Sequence, residues 1–391
     1  MKIVIDARWI FPEISGIGAY TRELIRHLAI IDTQHHYTLL FQAPDLRDRT
    51  LAETDVGDHP RIQPQLLPYG LFSIRNQVRL PTVLKRLEAD IYHSTNYMIP
   101  LAAFPPGRPH GCRCVTTIHD VIPLIFPRHA PRSKKARLFP LYRRLMREVG
   151  ARADAIITDS RASAHDVAHH LAIPDSRQNS IHTIHCGVDQ RFAPSSVPRT
   201  RNDGGGARLL YVGRSDPYKN VTTLIRAFAA ARQQVPVPLR LTIAGSPDPR
   251  YPEAQALARE YDLEDSVHWT GYVSDDELLQ LYQSCDALVH PSRYEGFGLQ
   301  ILEAMACGLP VITSNGGSLP EVAGDAAIVL SPDDTAGFAA SIVKVLTDPS
   351  LAADLRRRGL AQAARFTWQA TARATLAVYS ALASDATGAP A

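Results

Sequence analysis

Two carboxylates, Glu295 and Glu303, stand with seven residues between them in HPSRYEGFGLQILEAMACG, residues 290–308. The apolar run DALVH, Asp286 to His290, leads into them, and a glycine-punctuated turn and an Ala/Leu/Met-rich helical pattern follow. This order reads as strand, glycine-rich loop and helix start. Such a junction turns backbone N–H groups and the positive end of a helix toward an anion. Glu295 falls in the loop and Glu303 about one turn into the helix. Acids beside a phosphate-attracting loop suit hydroxyl groups better than phosphate, and a sugar joined to a nucleoside diphosphate has hydroxyls on both sides of its phosphates. The competing use is a general acid and base, in the manner of a hydrolase. Hydroxyl binding asks only that both carboxylates be ionised and correctly placed, with no shifted pKa.

Three further sets could serve the same ligand. Ser15-Gly16-Ile17-Gly18-Ala19-Tyr20 joins the first strand to the first helix, where Gly16 and Gly18 let the backbone close on a phosphate. A dinucleotide fingerprint needs glycine at position 21, which is Thr21, so a nicotinamide dehydrogenase is disfavoured. A plain tight turn is the other reading. Gly213-Arg214, with Lys219-Asn220 at the head of a helix, supplies a guanidinium fork and an ammonium for a departing diphosphate, or else a pair of solvated charges. No Asp-x-Asp occurs in the chain, so no acidic clamp for a diphosphate-bound metal is expected. His119-Asp120 follows a strand, where the histidine can donate to a sugar hydroxyl, polarise a reacting group or simply cap the structure. Ser94 and Asn96 end the preceding strand and would line the same wall.

The elements that must position these residues are short β-branched runs alternating with amphipathic helical stretches, the pattern of parallel sheets covered on both faces. One strand series comprises 2–6, 37–41, 91–93, 115–118 and 155–158; a second comprises 208–212, 240–244, 267–269, 287–290, 311–313 and 327–330. Helical patterns include 20–29, 160–171, 221–232, 275–284, 335–347 and 367–382. The series restarts after APSSVPRTRNDGGG, residues 193–206, which has linker composition. At 391 residues, two domains are expected: 1–192, then the linker, then 207–366, with ligands bound beyond the carboxyl ends of the strands in a cleft between them. Residues 385–391 read as a disordered tail.

A net charge of +3 gives no argument for nucleic acid, and no run approaches the roughly 18 apolar residues of a membrane span. The N-terminus MKIVIDARWIF reads as a strand rather than a signal peptide, and five scattered cysteines suit a reducing cytoplasm. Cys112 and Cys114 form a lone C-x-C without further metal ligands in view. Residues 128–152 cluster basic side chains around Leu138, Leu141, Leu145 and Met146. They fit either an anionic phospholipid surface or a solvated helix face with a packed inner side.

Taken together these residues resemble the retaining glycosyltransferases of GT-B architecture in the large family 4, which includes bacterial mannosyltransferases and the sucrose and glycogen synthases. The resemblance runs nearly end to end. It is carried by Glu295 to Glu303 with Gly296-Phe297-Gly298 between, by Glu303-Ala304-Met305-Ala306, Gly308-Leu309-Pro310-Val311 and Gly316-Gly317-Ser318-Leu319-Pro320-Glu321, and by the three sets above. It implies an α/β fold of two Rossmann-like doubly wound parallel-sheet domains, the N-terminal one binding acceptor and the C-terminal one binding a nucleotide sugar. The last helix, from 367, would cross back to the N-terminal domain. Glu295 would contact the donor sugar, helped by backbone amides of Phe297, Gly298 and Leu299, and Glu303 would bind the ribose. Arg214, Lys219 and Gly16, with Gly18, would hold the diphosphate, His119 would approach the transferred sugar, and Thr270-Gly271-Tyr272-Val273 would flank the base. Asn96 and Asp120 are the acceptor-side candidates. Gln300 and Arg293 depart from the family pattern.

The resemblance further implies a metal-independent hexosyltransferase with no cofactor. Asp120-Val121-Ile122-Pro123-Leu124 with Ser15–Gly18 looks most like the mannosyltransferase branch, so GDP-mannose is the first-choice donor. A lipid-linked saccharide is the expected acceptor, and the enzyme would be cytoplasmic or peripheral on the inner face of the plasma membrane. A nucleotide-sugar epimerase of the same fold and a non-catalytic nucleotide-sugar-binding protein are the alternatives.

Overall fold

A computed structural model describes residues 1–13, 15–107, 111–127, 138–196, 206–246 and 248–387, without the side chains of 385–387. The chain forms two compact units. The first holds Met1–Leu124, Leu138–Gly187 and the segment from Thr367; the second holds 125–127 and the chain from Val188 to Phe366. Residues 188–192 thus belong with the second unit. Most of the linker expected at 193–206, namely 197–205, lies outside the described residues.

The first unit is a seven-stranded parallel sheet built from β1 (Lys2–Asp6), β2 (His36–Phe41), β3 (Ile62–Leu66), β4 (Ile91–Ser94), β5 (Arg113–Thr117), β6 (Ala155–Thr158) and β7 (Ile181–Thr183). Their order is β3-β2-β1-β4-β5-β6-β7, which reverses direction between β1 and β4. Its helices are α1 (Gly16–Ile31), α2 (Pro44–Thr54), α3 (Ile74–Arg86), the short α4 (Ile122–Ile125), α5 (Phe139–Arg152) and α6 (Arg161–His170). Sequence reading missed β3 and β7. Both are outer strands of the sheet, and β3 carries Pro64, which an edge tolerates and which blunts the apolar signal.

The second unit repeats the plan in six parallel strands: β8 (Ala207–Val212), β9 (Leu239–Ala244), β10 (Val267–Gly271), β11 (Ala287–His290), β12 (Val311–Ser314) and β13 (Ile328–Leu330). Their order is β10-β9-β8-β11-β12-β13, with the reversal between β8 and β11. Helices α7 (Val221–Arg232), α8 (Glu253–Glu260), α9 (Asp275–Ser284), α10 (Leu299–Ala306), α11 (Leu319–Ala323), α12 (Thr335–Thr347) and α13 (Pro349–Ala363) accompany it. Strands covered on both faces need continuous apolar runs. Leu209, Tyr211, Leu241, Ile243, Val289 and Ile312 accordingly pack with Leu224, Phe228, Phe338 and Ile342 in one core.

The final helix, α14 (Trp368–Thr387), packs on α1 within the first unit. Its fully buried Tyr379 meets His93 Nδ1 at 2.6 Å, and Thr371 Oγ1 donates to His185 O at 2.7 Å. The tail expected to be disordered from 385 is helical through Thr387; 388–391 lie outside the described residues. The alanines of this helix, including Ala386, have the highest helix propensity and favour its continuation.

Candidate active site

The carboxyl ends of β8 and β11 flank the strand-order reversal of the second unit, the position at which open α/β sheets bind ligands. Lys219 follows β8 and Glu295 follows β11. They form a buried ion pair, with Nζ 2.8 Å from each carboxylate oxygen. His290, the last residue of β11 and fully buried, donates from Nε2 to Glu295 Oε1 at 2.8 Å. Its ring stacks on Tyr211 at 5.5 Å between centroids, and its Nδ1 has no hydrogen-bond partner. Burial alone would raise the Glu295 pKa, but Lys219 and His290 outweigh it and hold the group at about 2. Burial works against the Lys219 charge as well; Glu295 outweighs it there and keeps the ammonium at about 12.

The surrounding backbone fixes this trio. Asn220 takes the left-handed conformation (φ 59°) that asparagine tolerates, and its Nδ2 donates to Pro291 O (3.1 Å) and Pro332 O (2.6 Å). Arg293, whose place in the loop the sequence left unexplained, donates its N–H to Tyr218 O at 2.7 Å and pairs with Asp333 at 2.6 Å. Nothing in the structure explains Gln300. On the other side Ser318 donates its N–H to Glu295 O (3.1 Å) and its hydroxyl to Phe297 O (2.8 Å). Gly317, at φ +60°, lies so close that an added Cβ would stand 2.4 Å from Glu295 O. Gly298, at φ +95°, caps the N-terminus of α10, where a Cβ would come within 2.8 Å of Leu319 Cδ2.

Glu303 is set differently. It projects from α10, and Oε2 accepts a 2.8 Å hydrogen bond from the fully buried Tyr282 hydroxyl. Burial pushes its pKa up to about 7; Tyr282 and Arg191 pull the other way, while Asp275 and Asp189 add to the rise. The two glutamates are therefore set apart: the Glu303 pKa is shifted up to about 7, and among the described residues no cation pairs with it as Lys219 pairs with Glu295. Lys219, expected to help hold the diphosphate, is itself paired. Its charge is engaged by Glu295 rather than presented alone to an anion. Arg214 presents the more open cation, its side chain 61% exposed and its Nε 3.0 Å from Asp216 Oδ2. Phe297 is buried and its ring meets Phe366 at 5.9 Å, while Leu299 opens α10. Val273, partly exposed, lies just beyond β10 and next to the exposed Tyr272.

The remaining candidates lie in the first unit. Gly16 and Gly18 form the first turn of α1 rather than a loop, and the Ser15 hydroxyl caps that turn by accepting from Gly18 N at 3.5 Å. His119 donates from Nδ1 to Asp159 Oδ2 (2.6 Å) and from Nε2 to Thr95 O (3.0 Å). Both partners are acceptors, an environment that favours the doubly protonated ring. Burial opposes that charge, yet Asp159 outweighs it and raises the pKa above the ordinary histidine value. The hydrogen bond to a sugar hydroxyl expected of this ring would thus have to displace one of these partners. Asn96 Oδ1 accepts from Tyr97 N at 2.8 Å, and Asp120 Oδ1 from Ile122 N at 3.0 Å. Of the basic stretch 128–152, residues 128–137 lie outside the described residues and the rest leads into α5. Among the described residues no group of three or more His, Cys, Asp or Glu side chains is arranged to hold a metal ion.

Comparison with known proteins bears on the whole chain. Residues 14–192 match the model of Glycosyltransferase Family 4, and residues 195–362 that of Glycosyl transferases group 1. Glycogen synthase of Mycobacterium tuberculosis strain H37Rv is 33% identical over 96% of this chain and 94% of its own. The chain belongs to glycosyltransferase family 4. Escherichia coli O-antigen chain mannosyltransferase B is 29% identical over 97% of this glycosyltransferase and 99% of the relative. Sucrose-phosphate synthase from Thermosynechococcus elongatus shares the fold, with a TM-score of 0.77 at 22% identity over 98% of this chain and 99% of that one. Two Rossmann-like parallel-sheet units are the architecture of the GT-B glycosyltransferases.

In this glycosyltransferase, then, the structure brings Lys219 and Glu295 into direct contact and sets Glu303 apart in its own surroundings. Sequence reading missed His290, Tyr282 and Asp159. His290 had a signal, as the polar last residue of an apolar strand immediately before the Glu295 loop. Tyr282 and Asp159 had none, since each partner lies in a different element.

Proposed function

We propose that this enzyme transfers a hexose, first choice mannose from GDP-mannose, to an acceptor hydroxyl with retention of anomeric configuration. The observation that carries the reading is the buried Lys219–Glu295–His290 set at the strand-order reversal, eight positions from a second, separately tuned carboxylate at Glu303. Donor-sugar hydroxyls donate to Glu295, whose geometry Lys219 and His290 fix. The ribose hydroxyls donate to Glu303 and favour its ionised form. The amides at the start of α10 and the Arg214 guanidinium face the diphosphate. Negative charge grows on that group as the glycosidic bond breaks through an oxocarbenium-like state, and each well-aimed donor contributes roughly 2.7–4 kcal/mol there. With no dedicated base assigned, a phosphate oxygen of the departing group takes the acceptor proton, with attack on the leaving-group face.

Gly16, Gly18 and His119 are assigned further donor contacts in this proposal, Val273 a contact with the base, and Asn96 and Asp120 contacts with the acceptor. A relative named O-antigen chain mannosyltransferase B supports mannose, and one named glycogen synthase supports glycosyl transfer more broadly; a lipid-linked saccharide is the acceptor in this proposal. The reading includes metal independence and a cytoplasmic, membrane-peripheral enzyme. Arg214→Ala and Glu295→Ala variants, incubated with donor and acceptor, test it. Loss of nucleotide release in both is expected; wild-type turnover in either would overturn the assignment.

A further inference from the structure

The first unit exposes apolar side chains where its core does not need them. On α3, Asn76, Leu80 and Leu84 face inward, while Ile74 and Val78, one turn apart on the outer face, are 83% and 67% exposed. Phe72, just before the helix, is 62% exposed, and at the start of α5 Leu138 and Leu141 are 59% and 62% exposed. Ring contacts tie these places together: Phe72 meets Tyr97 at 6.2 Å, and Tyr97 meets Tyr142 of α5 at 5.8 Å. Both helices also hold the segment between them. Gln77 donates to Ile99 O at 3.1 Å, and Arg152 to Leu101 O at 3.3 Å.

The charges along these two stretches are positive, and the acids that directly follow them, Glu88 and Glu148, are paired with Lys2 and Arg152. Arg75, Arg79, Lys85 and Arg86 are exposed on α3, and Arg143, Arg144 and Arg147 on α5. Residues 70–87 and 138–147 thus contain seven basic residues and no acid, in a chain whose net charge is only +3. Exposed apolar groups set among cations are the makings of a surface that enters the boundary between headgroups and acyl chains. An apolar protein partner would leave the cations unused, and a polynucleotide would leave Ile74 and Val78 unused.

We propose that the outer face of α3, with the start of α5, docks this enzyme on an anionic phospholipid bilayer. Ile74, Val78 and Phe72 enter the headgroup boundary, and Arg75 and Arg79 meet lipid phosphates. Each cation held at an anionic surface strengthens binding by roughly fivefold. Docking does not depend on which sugar the enzyme moves. It deepens the membrane-peripheral part of the function above and places the contact chiefly on α3, upstream of the basic stretch at 128–152.

The test is sedimentation of the full chain with vesicles of phosphatidylcholine alone or mixed with phosphatidylglycerol, for wild type, Ile74→Glu/Val78→Glu and Arg75→Glu/Arg79→Glu. Circular dichroism and transfer to a water-soluble acceptor on the same samples report folding and activity. Wild type is expected to bind the anionic vesicles and release them in high salt, with binding at least tenfold weaker in both variants and soluble-acceptor activity unchanged. Wild type that ignores anionic vesicles, or folded variants that bind as well as wild type, would overturn the proposal. So would light scattering that shows a dimer dissolved by Ile74→Glu/Val78→Glu in a chain that binds no vesicle. Loss of transfer with vesicle binding intact would instead count against the glycosyl-transfer chemistry and leave docking standing.

Discussion

The two units share one sheet plan and use it in opposite ways. At the strand ends of the second unit, charge is buried and left adjustable: Glu295 is held at about 2 by Lys219 and His290, while Glu303 is pushed up to about 7. In the first unit the polar groups at the strand ends are closed by their own neighbours. Asp6 pairs with Arg8 at 2.6 Å in full burial, His119 is engaged on both nitrogens, and Asn96 caps its own chain. The outer surfaces reverse the contrast. Phe11, Ile30, Phe72, Ile74, Val78, Leu138 and Leu141 are exposed in the first unit, against Tyr261 and Tyr272 among the described large apolar side chains of the second. A duplicated fold can thus place electrostatic tuning in one copy and surface affinity in the other, because the sheet order fixes where loops converge but not what they carry.

The strongest challenge to this contrast is at Lys219. Lys219→Met leaves the Glu295 charge buried without its cation, and a loss of about 3–5 kcal/mol is expected by denaturant unfolding, with turnover reduced by on the order of 10²-fold or more. Lys219→Met combined with Glu295→Gln should recover most of the stability and none of the activity. A double variant that transferred sugar normally would show the pair to be structural only.

A second test is at Glu303. Its pKa is raised on folding, so between about 4.5 and about 7 the native state binds more protons than the unfolded one. Stability therefore falls as pH rises through that window. Glu303→Gln should gain on the order of 2–3 kcal/mol at pH 8 and little at pH 5, read as the difference in unfolding free energy. In the first unit the pH dependence has the same sign, but there the shift comes from a stabilising partner rather than from burial. His119 is raised by its partner Asp159, and its stabilisation is complete below the unfolded histidine pKa and lost as pH rises through the folded value. Asp159→Asn should accordingly destabilise by about 1.5 kcal/mol at pH 5.5 and by less at pH 8.5. The smallest effect is expected from Ser318→Ala, which removes the hydroxyl donor to Phe297 O: about 1 kcal/mol, with a looser Glu295 loop read as a higher KM.

The strand–helix alternation was legible because strands covered on both sides must be mostly apolar, as β8, β9, β11 and β12 are. It failed at β3 and β7, where an edge position relaxes that demand. The start of α1 was hidden for a related reason: Gly16 and Gly18 read as loop residues, yet the Ser15 cap lets the helix begin there. At the site, residue types and spacing pointed to Glu295, Glu303, Lys219 and Arg214. They carried no information on charge state, because that depends on His290, Tyr282 and Arg191, which come from other elements. The seven-residue spacing places the two carboxylates; the partners that fold around each make them unlike.

That difference is what a donor-binding titration reads most directly. The nucleotide sugar giving the largest thermal shift would be titrated calorimetrically into wild type and Glu303→Gln at pH 6, 7 and 8, in buffers of differing ionisation enthalpy. If ribose hydroxyls select the ionised form of Glu303, wild type should release roughly half a proton at pH 7 and bind more tightly from pH 6 to pH 8, while Glu303→Gln should show neither effect. Binding in wild type with no proton release and no change in affinity across that range would contradict the account.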